Sequence, residues 1–281
     1  DKKIILAGTG HESSSIGLVV NSTGSLAALV STRDNKKDPS GNRLQSLTLV
    51  HVDSGKTMTT ETAERIQLID WLGDRLVYRT TISGAAFNDP QRNRLISYDL
   101  ANNTRSQLVT ANKITAALSA DNYIYYAIDN AGLNDQSGNG FYRVKAEATN
   151  REKLLNETIW SALRTSPEVI ALQQPVGWQH FDIDSKQLTP GAAPTPPTGY
   201  YFANNPQGNQ TAWVAKTNGQ MSLLFRDETG TEKVLITRTD ITHPIRWLTN
   251  SLLVYRIAAP GEIADYVVST KGGSPKKIAD V

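Results

Sequence analysis

No cysteine occurs in the 281 residues, which excludes disulfides, thiolate metal sites and a cysteine nucleophile, and removes thiol usage as a sign of redox compartment. Methionine occurs twice, aromatics make up 7% of the chain, and no apolar run approaches the roughly 18 residues of a membrane-crossing helix. Neither sign of charge dominates: 29 Lys and Arg stand against 27 Asp and Glu, without long blocks of either. That balance argues against a nucleic-acid partner. Phosphate-cradling glycine loops and the G-x-S-x-G turn of serine hydrolases are also missing. The chain opens on Asp1 without Met or a signal-like segment, as expected of a mature product or an excised domain.

What the sequence does have is repetition. IDWLGDRLVYRT at 69–80 returns as IRWLTNSLLVYRI at 245–257. Each is an apolar run ending in Trp, a tight turn, then a β-branched and aromatic run ending in Tyr-Arg, which reads as a β-hairpin. The two copies start 176 positions apart, four times 44, so intermediate copies are expected. Looser ones start at 17, 115, 160 and 200. A second phrase follows each hairpin: a strand, a polar turn rich in Asp, Asn, Gly and Thr, and a short strand carrying Lys or Arg early, as in LISYDLANNTRSQLVT at 95 and LLFRDETGTEKVLIT at 223.

Two hairpins per unit make four antiparallel strands, and six units predict an all-β, six-bladed β-propeller in a single domain spanning 1–281. The expected blades are about 16–62, 63–111, 112–158, 159–196, 197–238 and 239–281. Residues 1–15 begin with DKKIILAGTG, which has the pattern of an outer strand. Two readings stand for them: a strand closing the ring in the last blade, or a leader left from a preceding domain.

The phrases carried by Ser22-Thr23-Gly24-Ser25, Asp53-Ser54-Gly55-Lys56 and Gln187-Leu188-Thr189 resemble the TolB-like, WD-repeat-like bacterial β-propeller repeat family. The family's Pro-Asp-Gly turn is absent from most blades, which have Gly73-Asp74, Ala120-Asp121-Asn122 and Ser166-Pro167-Glu168 there. Because that family is functionally mixed, the resemblance implies a scaffold and, through its bacterial setting, an extracytoplasmic location, without implying an activity.

Chemistry is sparse. His11, His51, His180 and His243 are scattered, and only His243 lies near a first strand, where residues converge on a propeller axis. Polar first-strand groups that would line such a channel are Asp70, Arg164, His243 and Arg246. The loop DNAGLNDQSGNG at 129–140 offers oxygen donors but lacks the spacing and bidentate Glu of a calcium loop, so it reads as a solvated turn. No metal or other cofactor is expected. Trp71, Trp160 and Trp247 fall at matching repeat positions, as blade-to-blade packing requires.

Loop length is the most informative feature. Three successive blades carry long connections between their second and third strands, starting at 31, 82 and 129, whereas those of the last three are short, at 173, 216 and 258. Half of one face is predicted to rise as a polar crest. Its candidate binding residues are Arg33, Asp34, Lys36, Lys37, Asn88, Asp89, Arg92, Asn134 and Asp135. Long loops on a rigid scaffold usually carry binding, although extra loop length also costs little closure entropy and is tolerated without a role. The expected function is a non-catalytic binding or scaffolding propeller, a monomeric domain without a transmembrane segment, meeting a protein or peptide in a bacterial envelope or surface protein. The rivals are a propeller enzyme, such as a glycan lyase or hydrolase, and the propeller of a larger peptidase.

Overall fold

The computed structural model describes residues 7–12, 17–130, 133–193, 199–205 and 209–280. Among them there is no helix; the strands form six four-stranded antiparallel sheets, each in chain order, arranged as the blades of a six-bladed β-propeller. Blade one is β1 Gly17–Val20, β2 Leu26–Ser31, β3 Gln45–His51 and β4 Thr57–Ala63. Blade two is β5 Arg65–Leu72, β6 Arg75–Thr81, β7 Asn93–Asp99 and β8 Thr104–Ala111. Blade three is β9 Ile114–Ala120, β10 Tyr123–Ile128, β11 Gly140–Lys145 and β12 Glu152–Leu155. Blade four is β13 Ser161–Arg164, β14 Val169–Gln174, β15 Gly177–Asp182 and β16 Leu188–Pro190. Blade five is β17 Tyr200–Asn204, β18 Thr211–Thr217, β19 Gln220–Arg226 and β20 Glu232–Thr237. Blade six is β21 Ile241–Thr249, β22 Leu252–Ala259, β23 Glu262–Ser269 and β24 Lys276–Asp280.

The chain divides into two compact units, residues 1–162 with 172–177, and residues 163–171 with 178–281. In the first, alternation along the middle strands serves two cores at once. Leu76 and Tyr78 join Leu26, Ala28, Leu47 and Leu49 of blade one, while Val77 and Leu95 join Ile124, Tyr126 and Val144 of blade three. Middle strands are therefore apolar on both faces, and β6 and β10 read as almost continuous buried runs. In the second unit Val214, Leu223 and Phe225 of blade five pack with Trp247, Leu253 and Tyr255 of blade six. Outer strands such as TMTTETA of β4 and EKVLIT of β20 are exposed along their first halves, and their Thr, Glu and Lys keep these edges from pairing with other chains.

Turn chemistry matches the geometry. Asp121-Asn122 and Asn218-Gly219 both take left-handed backbone at two successive positions, as a two-residue hairpin turn demands. Between third and fourth strands, Asp side chains cap the turns. Asp99 accepts hydrogen bonds from Asn102 N (3.1 Å) and Nδ2 (3.0 Å), Asp182 from Ser185 N (2.7 Å), and Asp227 from Thr229 N (2.9 Å) and Thr231 N (3.0 Å). These bonds, led in each case by one from the Asn102, Ser185 or Thr229 side chain, hold all three carboxyls below the ordinary Asp range. A register shift recurs between third and fourth strands in five blades, at Leu47/Thr48, Leu95/Ile96, Phe141/Tyr142, Leu223/Leu224 and Asp265/Tyr266. A bulge at or next to one repeat position adds twist to these five blades in the same region.

Within blades one to three, and between blades five and six, one repeat position ties first strands together. Trp71 Nε1 of β5 donates to Val19 O of β1 (3.3 Å), and Trp247 Nε1 of β21 donates to Ala203 O of β17 (2.8 Å). Ser119 of β9, at the same position, donates its hydroxyl to the Asp70 carboxylate of β5. Packing between neighbouring blades is therefore what the recurrent Trp does. Trp160 is an exception to the predicted match: it precedes β13 instead of ending it, is 51% exposed, and is held through its main chain, with N donating to Gln173 O (2.8 Å).

Of residues 1–15, read as a closing strand or a leader, 1–6 and 13–15 lie outside the described residues. The last blade already has four strands, and residues 7–12 carry none; they lie against the first long loop. Thr9 Oγ1 donates to Arg33 O (2.9 Å), and Thr32 Oγ1 donates to His11 O (2.7 Å).

Candidate binding crest

The connections between second and third strands split the blades evenly. Residues 32–44, 82–92 and 129–139 join them in blades one to three, whereas two-residue turns, 175–176, 218–219 and 260–261, suffice in blades four to six. The three long loops all belong to the first compact unit.

Each long loop has internal structure. In the first, Lys37 and Arg43 bridge, and Asp38 closes the turn by accepting from Asn42 N (2.8 Å) and Nδ2 (3.1 Å), bonds that lower its pKa. Arg33 donates to Ala7 O (2.8 Å) and lies 3.8 Å from the Glu12 carboxylate, while Lys36 Nζ donates to Thr62 Oγ1 (3.4 Å). Asp34, Lys36, Lys37 and Arg43 are exposed.

The second loop is closed by Ile82 N donating to Arg92 O (2.9 Å) and capped by Asp89, whose Oδ1 accepts from Gln91 N (2.7 Å). Buried Asn112, in the link between blades two and three, fastens it from beneath: Nδ2 donates to Phe87 O (2.6 Å) and Asp89 O (3.0 Å). Arg92 reaches toward Glu64, in the link between blades one and two, at 3.8 Å, and its guanidinium lies 5.4 Å from the Phe87 ring centroid. Asn88 is exposed beside it.

The third loop is pinned by Asn139, whose Oδ1 accepts from Asn130 N (2.7 Å), by Tyr142 OH donating to Gly138 O (2.8 Å), and by Lys153 Nζ donating to Ser137 O (3.3 Å). Asp129 pairs with Lys113 at 3.2 Å, and Asp135 accepts from Ser137 N (2.9 Å), which with the Ser137 hydroxyl holds its pKa down. Asn134 and Asp135 are exposed; Ala131 and Gly132 lie outside the described residues. Of the oxygen donors, Asp129, Asp135 and Asn139 are engaged within the protein, and no group of three or more His, Asp or Glu suited to a metal ion occurs among the described residues.

The channel candidates have their own partners. Asp70 Oδ1 accepts from Trp71 N (2.8 Å) in addition to the Ser119 hydroxyl bond. Arg164 folds back on its own turn, donating to Ser166 O (3.2 Å) and Pro167 O (3.0 Å). Arg246 is half-buried; burial lowers its pKa against the raising influence of Asp265, while Arg256 lowers it further. The side chain of His243 lies outside the described residues. His180 packs its ring so tightly on Gly191 that a Cβ there would lie 2.5 Å from Cδ2, a structural role.

Phe87 was missed by sequence reasoning. At 82% exposure it is more open than any other large apolar side chain described, and its signal was the lone aromatic of a crest loop.

No family model matches the chain, and no curated protein matches it in sequence. Among solved structures it is similar to TolB from Acinetobacter baumannii, at 13% identity and TM-score 0.51 over 95% of this chain and 63% of that one. It is similar to an oligogalacturonate lyase in complex with manganese, at 11% identity and TM-score 0.52 over 90% and 76%. It is also similar to the β-propeller domain of the Trilobed protease from Pyrococcus furiosus, at 11% identity and TM-score 0.58 over 96% and 84%. The chain therefore spans less than two thirds of the TolB structure it matches. At such identities the likeness concerns architecture alone: the fold is a TolB-like propeller, shared by a lyase and a protease domain as well as TolB.

Proposed function

We propose that the chain is a non-catalytic propeller that binds a protein partner through the crest of blades one to three, within a bacterial envelope or surface protein of the TolB-like repeat family. The observation that carries this reading is the asymmetry of the face. Three consecutive blades bear long, internally bonded loops, the second and third fastened by buried asparagines, while the other three are trimmed to two-residue turns. A tolerated insertion has no need of such fastening, whereas a binding surface gains from it, because ordering the loops in advance lowers the entropic cost of association. The exposed mixture of Asp34, Lys36, Lys37, Asn88, Asn134 and Asp135 suits a protein surface better than a phosphate backbone.

The reading is tested by replacing 32–44, 82–92 and 129–139, singly and together, with two-residue turns. Proteins captured from an envelope extract by the wild type are purified and titrated against each variant by calorimetry. Loss of binding at an unchanged melting temperature is expected; a purified partner that binds the fully shortened variant as tightly as the wild type would refute the crest as the site.

A further inference from the structure

Phe87 stands out among the crest residues. Large apolar side chains are seldom left open to solvent at the tip of a well-fastened loop, because an exposed phenyl ring contributes nothing to folding. Here the ring is 82% exposed while the main chain beneath it is held by Asn112, at both Phe87 O (2.6 Å) and Asp89 O (3.0 Å), and by the Asp89 cap on Gln91 N. The Arg92 guanidinium lies 5.4 Å from the ring centroid and keeps its other side toward Glu64. The ring is thus presented and oriented instead of being buried. Lys36 reaches Thr62 and Arg92 reaches Glu64, two residues further along the same segment, so the first two loops rest on neighbouring residues at the junction of blades one and two. Across residues 32–44 the cations Arg33, Lys36, Lys37 and Arg43 outnumber the carboxylates Asp34 and Asp38, so that flank is net basic.

We infer that Phe87 is the anchor of the crest, and that the partner is a folded protein with a ring-sized apolar pocket whose rim is acidic on the side meeting the first loop. The inference rests on the crest being the binding surface, and it narrows the partner. A protruding aromatic needs a concave acceptor, which a linear peptide cannot offer; a peptide would need a groove on this side. Large aromatics that enter a partner's pocket carry a disproportionate share of affinity, whereas charges at the rim act mainly on association rate and its salt dependence.

The test places a benzophenone photo-crosslinking residue at 87, at 37, at 135 and, as an off-crest control, at 163, in the full chain exposed to an envelope extract. The protein crosslinked from 87 is then purified and titrated. Phe87→Ala is expected to weaken its binding at least 30-fold, Phe87→Leu to recover most of that loss, and the pair Lys36→Glu and Lys37→Glu to slow association about tenfold at low salt with little change in dissociation. Since the Phe87 ring is solvent-exposed, the melting temperature should stay constant, which separates a binding defect from misfolding. Crosslinks from 37 and 135 without one from 87, or an affinity indifferent to Phe87→Ala, would overturn the anchor while leaving the crest intact. Crosslinks only from 163, or none, would overturn both. Equal competition by an unstructured peptide from the partner would overturn the requirement for a folded pocket.

Discussion

Blades two and six are built from nearly the same phrase, yet they use it differently. In both, Trp ends the first strand and donates its indole hydrogen to the preceding blade's first strand, and Tyr78 and Tyr255 occupy one buried position in the hairpin. The differences lie in the flanking polar residues. Asp70 precedes the Trp of blade two and accepts the Ser119 hydroxyl, while Arg246 takes that place in blade six and sits near a second Arg. Arg79 donates to the Gln67 side chain (2.5 Å) and to Ile114 O of the next blade, whereas its counterpart Arg256 pairs within its own blade, bidentate to Asp265 at 2.7 and 3.0 Å. Apolar and indole positions are fixed by the geometry of stacking blades; charged positions are free to seek partners in either direction. A repeat is conserved by its packing and individualised by its ion pairs.

Truncating the shared element should break both blades alike. Trp71→Ala and Trp247→Ala are each expected to cost about 3 to 5 kcal/mol in chemical denaturation, and Trp160→Ala no more than about 1.5 kcal/mol, since that residue is half exposed. Equal losses at all three sites would erase the distinction between packed and exposed Trp. The charged positions should then diverge. Asp265→Ala strands Arg256, whose side chain is only 13% exposed, beside Arg246, at about 3 kcal/mol, whereas Gln67→Ala leaves Arg79 its main-chain acceptor and costs under about 1 kcal/mol. A smaller difference is expected from Phe at the Trp positions. The 2.8 Å bond of Trp247 is better formed than the 3.3 Å bond of Trp71, so Trp247→Phe should be the worse change by roughly 0.5 to 1 kcal/mol.

The last contrast is silent at neutral pH. Burial pushes the Tyr255 hydroxyl up to about 12, with Arg238 opposing the shift. Tyr78 is raised further, by burial first and then by the Glu61 carboxylate that accepts its hydroxyl at 3.0 Å. A phenol whose pKa is higher folded than unfolded contributes stability that is complete below the unfolded value near 10 and is lost as pH rises through the folded one. Denaturation midpoints should therefore fall from about pH 10 upward, with Tyr255 ionising near 12 by ultraviolet difference spectroscopy while Tyr78 stays neutral for as long as the fold survives. Simultaneous ionisation of both would mean that Glu61 does not distinguish them.

The same split decides what could be read from the chain. Hairpin grammar was legible because burial between two neighbours forces alternation on both faces, and Leu76, Val77 and Tyr78 record it residue by residue. Loop lengths were legible because spacing in a repeat leaves little room for ambiguity. Trp160 was misplaced because the strand of blade four is short, so matching letters did not mean matching register. Phe87 was passed over because composition identifies a polar loop but not which side chain it lifts into solvent. Arg164 is polar and on a first strand, as expected, but its guanidinium turns onto its own loop, a local competition between side chain and main chain that spacing does not reveal.

The second and third crest loops are moored in part to the short links between blades, through Asn112, Glu64 and Lys113. Their sequences can thus drift without disturbing the cores beneath, so long as those few moorings persist. The minimal turns at 175–176, 218–219 and 260–261 are, on the same logic, vacant sockets where a grafted segment could be displayed without retuning a blade.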